Sequence, residues 1–271
     1  MDSAVAAAFL KEKAASQQVA IARYQTPSGA VWLRKALAHH SLWIYTPLRW
    51  LARFLRVRAL QPVPNPGGAI AVDREAKRLR ELASAGIAVP VLLAKQDDAL
   101  LMTDVSMEGK SKQLEHVLKQ SVDSASLLTF FTQAVTAISH AHLADQYLSQ
   151  AFARNIMLTN DGNIAFIDFE DDPGEVMALP LCQARDWLCF IFSTAVILEH
   201  QNQLDGGVVT LVNAISQENY AAQKALLKVC RRLSWIRFLP IASLGSDGKR
   251  VVAAGQCLAA LEVNLSAGTR L

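Results

Sequence analysis

The sequence predicts an α+β fold in two unequal parts: a small mixed part with antiparallel strands and one helix, then a larger, mostly helical part. Three observations carry this. Two alternating stretches, Val19 to Tyr24 and Ala30 to Ala36, flank the turn signal Thr26-Pro27-Ser28-Gly29 and read as a hairpin. A 3.6-period stripe of Ala76, Leu79, Leu82 and Ala83 makes Asp73 to Ala85 a helix that stops at Gly86, and two short strands follow it. From Leu181 onward the pattern is almost entirely helical. The expected divisions are a helical extension at 1–18, a small part at 19–105 carrying an insertion at 39–68, and a helical part at 106–271.

In chain order, Met1 to Gln18 is alanine-rich and helix-prone. In the second strand of the hairpin Val31, Leu33 and Lys35 share one face, Trp32 and Arg34 the other. Pro62, Pro64, Pro66, Gly67 and Gly68 form a linker. After the helix, strands are expected at Val89 to Ala94 and Ala99 to Thr103. Leu114 to Gln120 and Ser124 to Ala144 read as helices. Ile156 to Leu158 and Ile164 to Ile167 read as strands around Thr159-Asn160-Asp161-Gly162-Asn163, a hairpin turn containing Asp-Gly.

The chain has 271 residues, 52% apolar and 19% charged, which excludes a disordered polypeptide and suffices for a core without staples. A net charge of +3 is too small to imply a nucleic-acid partner. The four cysteines form no C-x-x-C pair and are expected to be buried and reduced. No uninterrupted apolar run reaches the roughly 18 residues of a spanning helix, and Trp187 to Leu198 reads as a buried core helix. The first residues lack the basic start and apolar stretch of a secretory signal. A cytoplasmic location is expected, extending to a peripheral one at the inner membrane face.

The chemistry is concentrated between Arg154 and Pro173. Asn155 precedes one short strand and Asp168 ends the next, so the turn brings the two to the same side. An amide oxygen beside a carboxylate offers hard ligands suited to Mg²⁺ shared with a nucleotide's phosphates.

This arrangement resembles the protein-kinase-like superfamily, nearest in look to small bacterial atypical kinases such as the lipopolysaccharide-core sugar kinases. The 13-residue spacing of Asn155 and Asp168, with Ile167-Asp168-Phe169, matches the family's pair of metal-holding segments. The resemblance implies a bilobal kinase-like fold binding ATP and Mg between lobes. It assigns Lys35 to the phosphates and Glu75 as its partner, Met102, Thr103, Asp104 and Val105 to the adenine hinge, and Asn155 and Asp168 to the metal. It also makes Asp186 a brace for the catalytic loop.

Three departures stand against it. Gln150 occupies the place of the catalytic aspartate, five residues before Asn155; it cannot take a proton but can orient a hydroxyl. No glycine-rich loop precedes Lys35. Glu170, followed by Asp171 and Asp172, replaces the glycine of the metal segment. These acids have two readings: Glu170 as an extra metal ligand or one of them as an alternative base, against a solvated turn and helix start.

Between Lys35 and Glu75 lie 39 residues. Residues 41–60 are rich in tryptophan and arginine, with Arg49, Arg53 and Arg56 opposite Leu48, Leu51 and Leu55. Such a pattern suits an anionic membrane surface, or a helix packed on the fold with its arginines in water. The expectation is a phosphotransferase that moves the γ-phosphoryl of ATP to a hydroxyl of an unknown acceptor, such as an envelope sugar or glycolipid. The alternatives are a catalytically degenerate nucleotide-binding or scaffold module, and an unrelated α+β protein.

Overall fold

The computed structural model describes residues 1–36, 57–106, 111–241, 243 and 245–268. The basic aromatic stretch at 41–60 lies outside them up to residue 56.

The fold is mixed α+β with two small antiparallel sheets. Helix α1 (Ser3–Ser16) precedes the hairpin of β1 (Ile21–Thr26) and β2 (Gly29–Lys35). Gly29 has φ +112°, a conformation that glycine adopts without the Cβ penalty. Helix α2 (Gly68–Ser84) follows, then β3 (Leu92–Gln96) and β4 (Ala99–Thr103). The strands are ordered β1-β2-β4-β3, with Trp32 opposite Met102 and Lys35 opposite Ala99. α2 begins five residues before the expected helix, at the glycine pair closing the proline linker.

Both faces of this sheet are covered. On one, Ala6, Leu10 and Ala14 of α1 pack against Val31, Leu33, Ala99 and Leu101. On the other, Val72 and Ala76 of α2 pack against Leu100. Read from its alanine content as an extension, α1 is a structural layer of the sheet.

The remainder is built of β5 (Lys112–Gln113), α3 (Leu114–Gln120), α4 (Ser124–Leu143), β6 (Ile156–Leu158), β7 (Ile164–Phe166), α5 (Leu179–His200), α6 (Leu204–Ile215), α7 (Tyr220–Leu233) and α8 (Ser246–Gly268). The second sheet runs β5-β6-β7, turning between β6 and β7 at Gly162 with φ +78°. Helix α5 is long and apolar enough to cross a membrane, but 72% of its apolar window is buried in the fold. Trp187 and Phe190 are fully enclosed beside Phe131 of α4. All four cysteines are buried and free. One continuous core joins Leu79, Leu82 and Met102 to α4, α5, α7 and α8, and this joint fixes the sheet against the β6–β7 hairpin.

Candidate functional site

The strand period of two sends Trp32 and Arg34 of β2 away from α1 and toward the β6–β7 hairpin. There the Arg34 guanidinium forks among three carboxylates. Its Nη1 donates to Glu75 Oε1 at 3.0 Å and to Asp168 Oδ1 at 3.2 Å, and its Nη2 to Glu170 Oε2 at 2.5 Å. Glu75 comes from α2 and is 2% exposed. Burial opposes the Arg34 charge, but the three carboxylates outweigh it and raise the guanidinium's pKa. Burial pushes Glu75 up to about 7 against the pull of Arg34, and the charges of Asp168 and Glu170 add to that rise. A planar fork suits this site, because one lysine ammonium could not reach three acids in one plane.

Lys35 is not part of this cluster, contrary to expectation. Its Nζ donates to Ala14 O at 2.9 Å and Gln17 O at 3.2 Å, fastening the end of α1 to the end of β2. The alternation was legible; which face meets the site was not, because α1 buries the face carrying Val31, Leu33 and Lys35. Glu75 keeps its expected place with Arg34 as its partner.

Asn155 and Asp168 flank the paired residues of the β6–β7 hairpin and line the same cavity. Ile167 N donates to Asn155 O at 3.0 Å, which closes the base of the hairpin. Asp168 has φ +73°, a left-handed conformation that costs a non-glycine residue about 1 kcal/mol or more. The next residue, Phe169, is 1% exposed and pins this reversal in the core. Asn155 Nδ2 donates to Gln150 O at 3.1 Å, and among the described residues no donor reaches its side-chain carbonyl oxygen. The Gln150 side chain turns to Asp171, donating to its carboxylate. Burial raises the carboxyls of both Asp171 and Glu170. Glu170, expected as a metal ligand, is committed to Arg34.

Among the described residues, no group of three or more His, Cys, Asp or Glu side chains is arranged to hold a metal by itself. The pair Asn155 and Asp168 nevertheless fits a magnesium ion that completes its shell with phosphate oxygens and water, since that ion prefers one or two protein oxygens to an all-protein cage.

Arg34, Glu75, Asn155 and Asp168 line a cavity of about 600 Å³. Arg34, Glu75, Arg154 and Asp168 add charged groups to its lining, and Asn155 a neutral amide. Trp32, Leu79, Pro90, Met102 and Met157 add apolar groups to the same lining. The expected hinge residues Met102, Thr103, Asp104 and Val105 all line the cavity. Two of their amides are already used: Thr103 N donates to Val91 O and Asp104 N to Ala30 O. Arg23 of β1 closes the rim by donating to Asp104 at 2.8 Å. A cavity lined by both charged and large apolar groups suits a ligand with an aromatic ring and an anionic tail.

Beneath the hairpin, Leu148 N donates to Asp186 Oδ2 at 2.6 Å, so the helix α5 aspartate braces the segment leading to Gln150 as expected. The same oxygen lies 3.3 Å from His142 Nε2, and Glu218 Oε1 lies 2.8 Å from His142 Nδ1 and accepts from Trp187 Nε1 at 3.0 Å. Burial disfavours a charged His142, but hydrogen bonds to both acids raise its pKa to about 9. Both neighbours only accept, so satisfying both ring nitrogens takes the imidazolium.

No protein-family model matches the chain, and no curated protein matches it. The site therefore rests on its own geometry. Sequence reasoning missed Arg34, Trp32 and Arg23; their signal was present as one alternating set on β1 and β2, once α1 is recognised as covering the other set.

Proposed function

We propose that the chain is a kinase-like protein of bilobal design that binds Mg-nucleotide between its sheet and its β6–β7 hairpin and transfers the γ-phosphoryl to a hydroxyl acceptor. The observation that carries this reading is that Arg34, Glu75, Asn155 and Asp168 line one cavity together with the apolar side chains of Trp32 and Met102. The order hairpin, helix, two strands, then the Asn-to-Asp hairpin braced by Asp186, agrees with the family resemblance.

In this reading Trp32 and Met102 hold the base ring, and Arg34 releases Asp168 and turns to the phosphates. Asn155 and Asp168 would hold magnesium, whose charge offsets that developing on the transferred phosphoryl group. Phosphoryl transfer depends mainly on positioning and charge, so Gln150 in the place of a base serves to orient the acceptor hydroxyl.

The second reading, a nucleotide-binding module without catalysis, is favoured by one observation: the Gln150 side chain is tied to Asp171 and is not part of the cavity lining. Thermal unfolding titrated with ATP, with and without Mg²⁺, tests the shared claim. At a ligand concentration of about 100 Kd the native state gains about 2.7 kcal/mol. Transfer of label from γ-labelled ATP to envelope extract then separates the enzyme from the module.

A further inference from the structure

Helix α7 has two faces. Ala222, Leu226, Val229, Cys230 and Leu233 are buried, packed on α5 and α8. On the opposite side Lys224, Lys228 and Arg231 are exposed, spaced four and three residues apart, and the row continues to Trp235 and Phe238 in the 3₁₀ turn Ser234–Phe238. Phe238 is 74% exposed and Trp235 46%. Large aromatic rings at such exposure lose hydrophobic free energy in water unless something covers them.

Neither ring is there by fraying. Trp235 Nε1 donates to Arg232 O at 2.9 Å, and the Arg237 guanidinium sits 4.4 Å from the Phe238 ring centre. The turn is pressed against Gly255 of α8 so closely that a Cβ there would stand 2.6 Å from Arg237 N. A glycine inside a 23-residue helix holds the turn in place with its aromatics outward.

Charge identifies the occupant. From Asn219 to Ser246 the sequence holds Lys224, Lys228, Arg231, Arg232 and Arg237, and no Asp or Glu. Among the described residues, Lys224, Lys228 and Arg231 make no ion pair. Glu262 of α8 acts on Cys230, on the buried face. We infer that this stripe is a docking face for an anionic lipid surface, with Trp235 and Phe238 entering the interfacial region and the basic row facing the headgroups. It is independent of the nucleotide cavity and of the segment at 41–60.

Co-sedimentation of the full chain with phosphatidylcholine vesicles, plain or carrying roughly one third phosphatidylglycerol, tests it. The expected result is binding to the anionic vesicles at least about tenfold tighter than to the plain ones, weakening between about 0.05 M and about 0.5 M salt. The pair Trp235→Ser with Phe238→Ser and the pair Lys228→Glu with Arg231→Glu should each lose roughly tenfold or more. All four positions are exposed, so both variants should keep the wild-type melting transition. Absence of vesicle binding overturns the inference. Binding that survives both pairs of substitutions also overturns it, because another part of the chain then holds the membrane. A dimer in solution that the aromatic substitutions dissociate overturns it too, because a second copy then covers the face.

Discussion

Arg34 Nη1 lies 3.2 Å from Asp168 Oδ1, in the position where a divalent cation would compete for the same carboxylate. The single guanidinium charge offsets part of the repulsion within a cluster of three acids. On the proposed reading, ligand binding would exchange partners: Asp168 would pass from Arg34 to the metal, and Arg34 from Asp168 to a phosphate.

That exchange predicts different outcomes for two adjacent basic residues. Arg34→Lys keeps the charge but not the fork, and should weaken Mg-ATP binding about tenfold, or about 1.4 kcal/mol. Lys35→Met should leave the affinity unchanged and lower stability by about 1–2 kcal/mol, by removing two charge-assisted bonds to carbonyls at the end of α1. Calorimetric titration and urea unfolding of both variants check this; the reverse pattern would restore Lys35 as the phosphate contact.

The buried histidine predicts a pH dependence. His142 is held near 9 in the fold against 6.5 when free. A folded-state value above the unfolded one makes its contribution fully present below about pH 6.5 and lost as the pH rises through about 9. On the order of 3 kcal/mol should disappear over that window. Urea unfolding of the wild type between pH 6 and 10 measures it; His142→Gln should be less stable at pH 6 and show a flatter profile.

Gly255→Ala should destabilise the protein by about 1–3 kcal/mol although alanine favours helices, because its Cβ would meet the Arg237 backbone at 2.6 Å. Thermal unfolding reads this directly, and a stabilised variant would show that the turn can move off α8.

Much of this was legible in the sequence. The β1–β2 hairpin, α3, α4 and the β6–β7 hairpin follow from period-two and period-3.6 patterns and from Asp161-Gly162, because each is decided by local turn chemistry and one buried face. Asn155 and Asp168 come to the same cavity because the hairpin register sets Asn155 beside Ile167, the neighbour of Asp168. Lys35 was misplaced for a long-range reason. When a sheet is covered on both faces, apolar alternation no longer tells which face meets the site, and Leu33 buried under α1 looks the same in sequence as Leu33 facing a cavity. The Arg34 fork was hidden because its three acids come from α2 and the segment after β7, up to 136 residues away. The network of His142, Asp186 and Glu218 was missed beyond Asp186, since no local pattern marks two acids meeting one imidazole.

The most direct measurement is isothermal titration of Mg-ATP into the wild-type chain and into Asp168→Asn. The account predicts a saturable one-site heat for the wild type that disappears without Mg²⁺ and weakens at least about tenfold in the variant. A wild type that gives no heat, or a variant that binds as the wild type does, would contradict it.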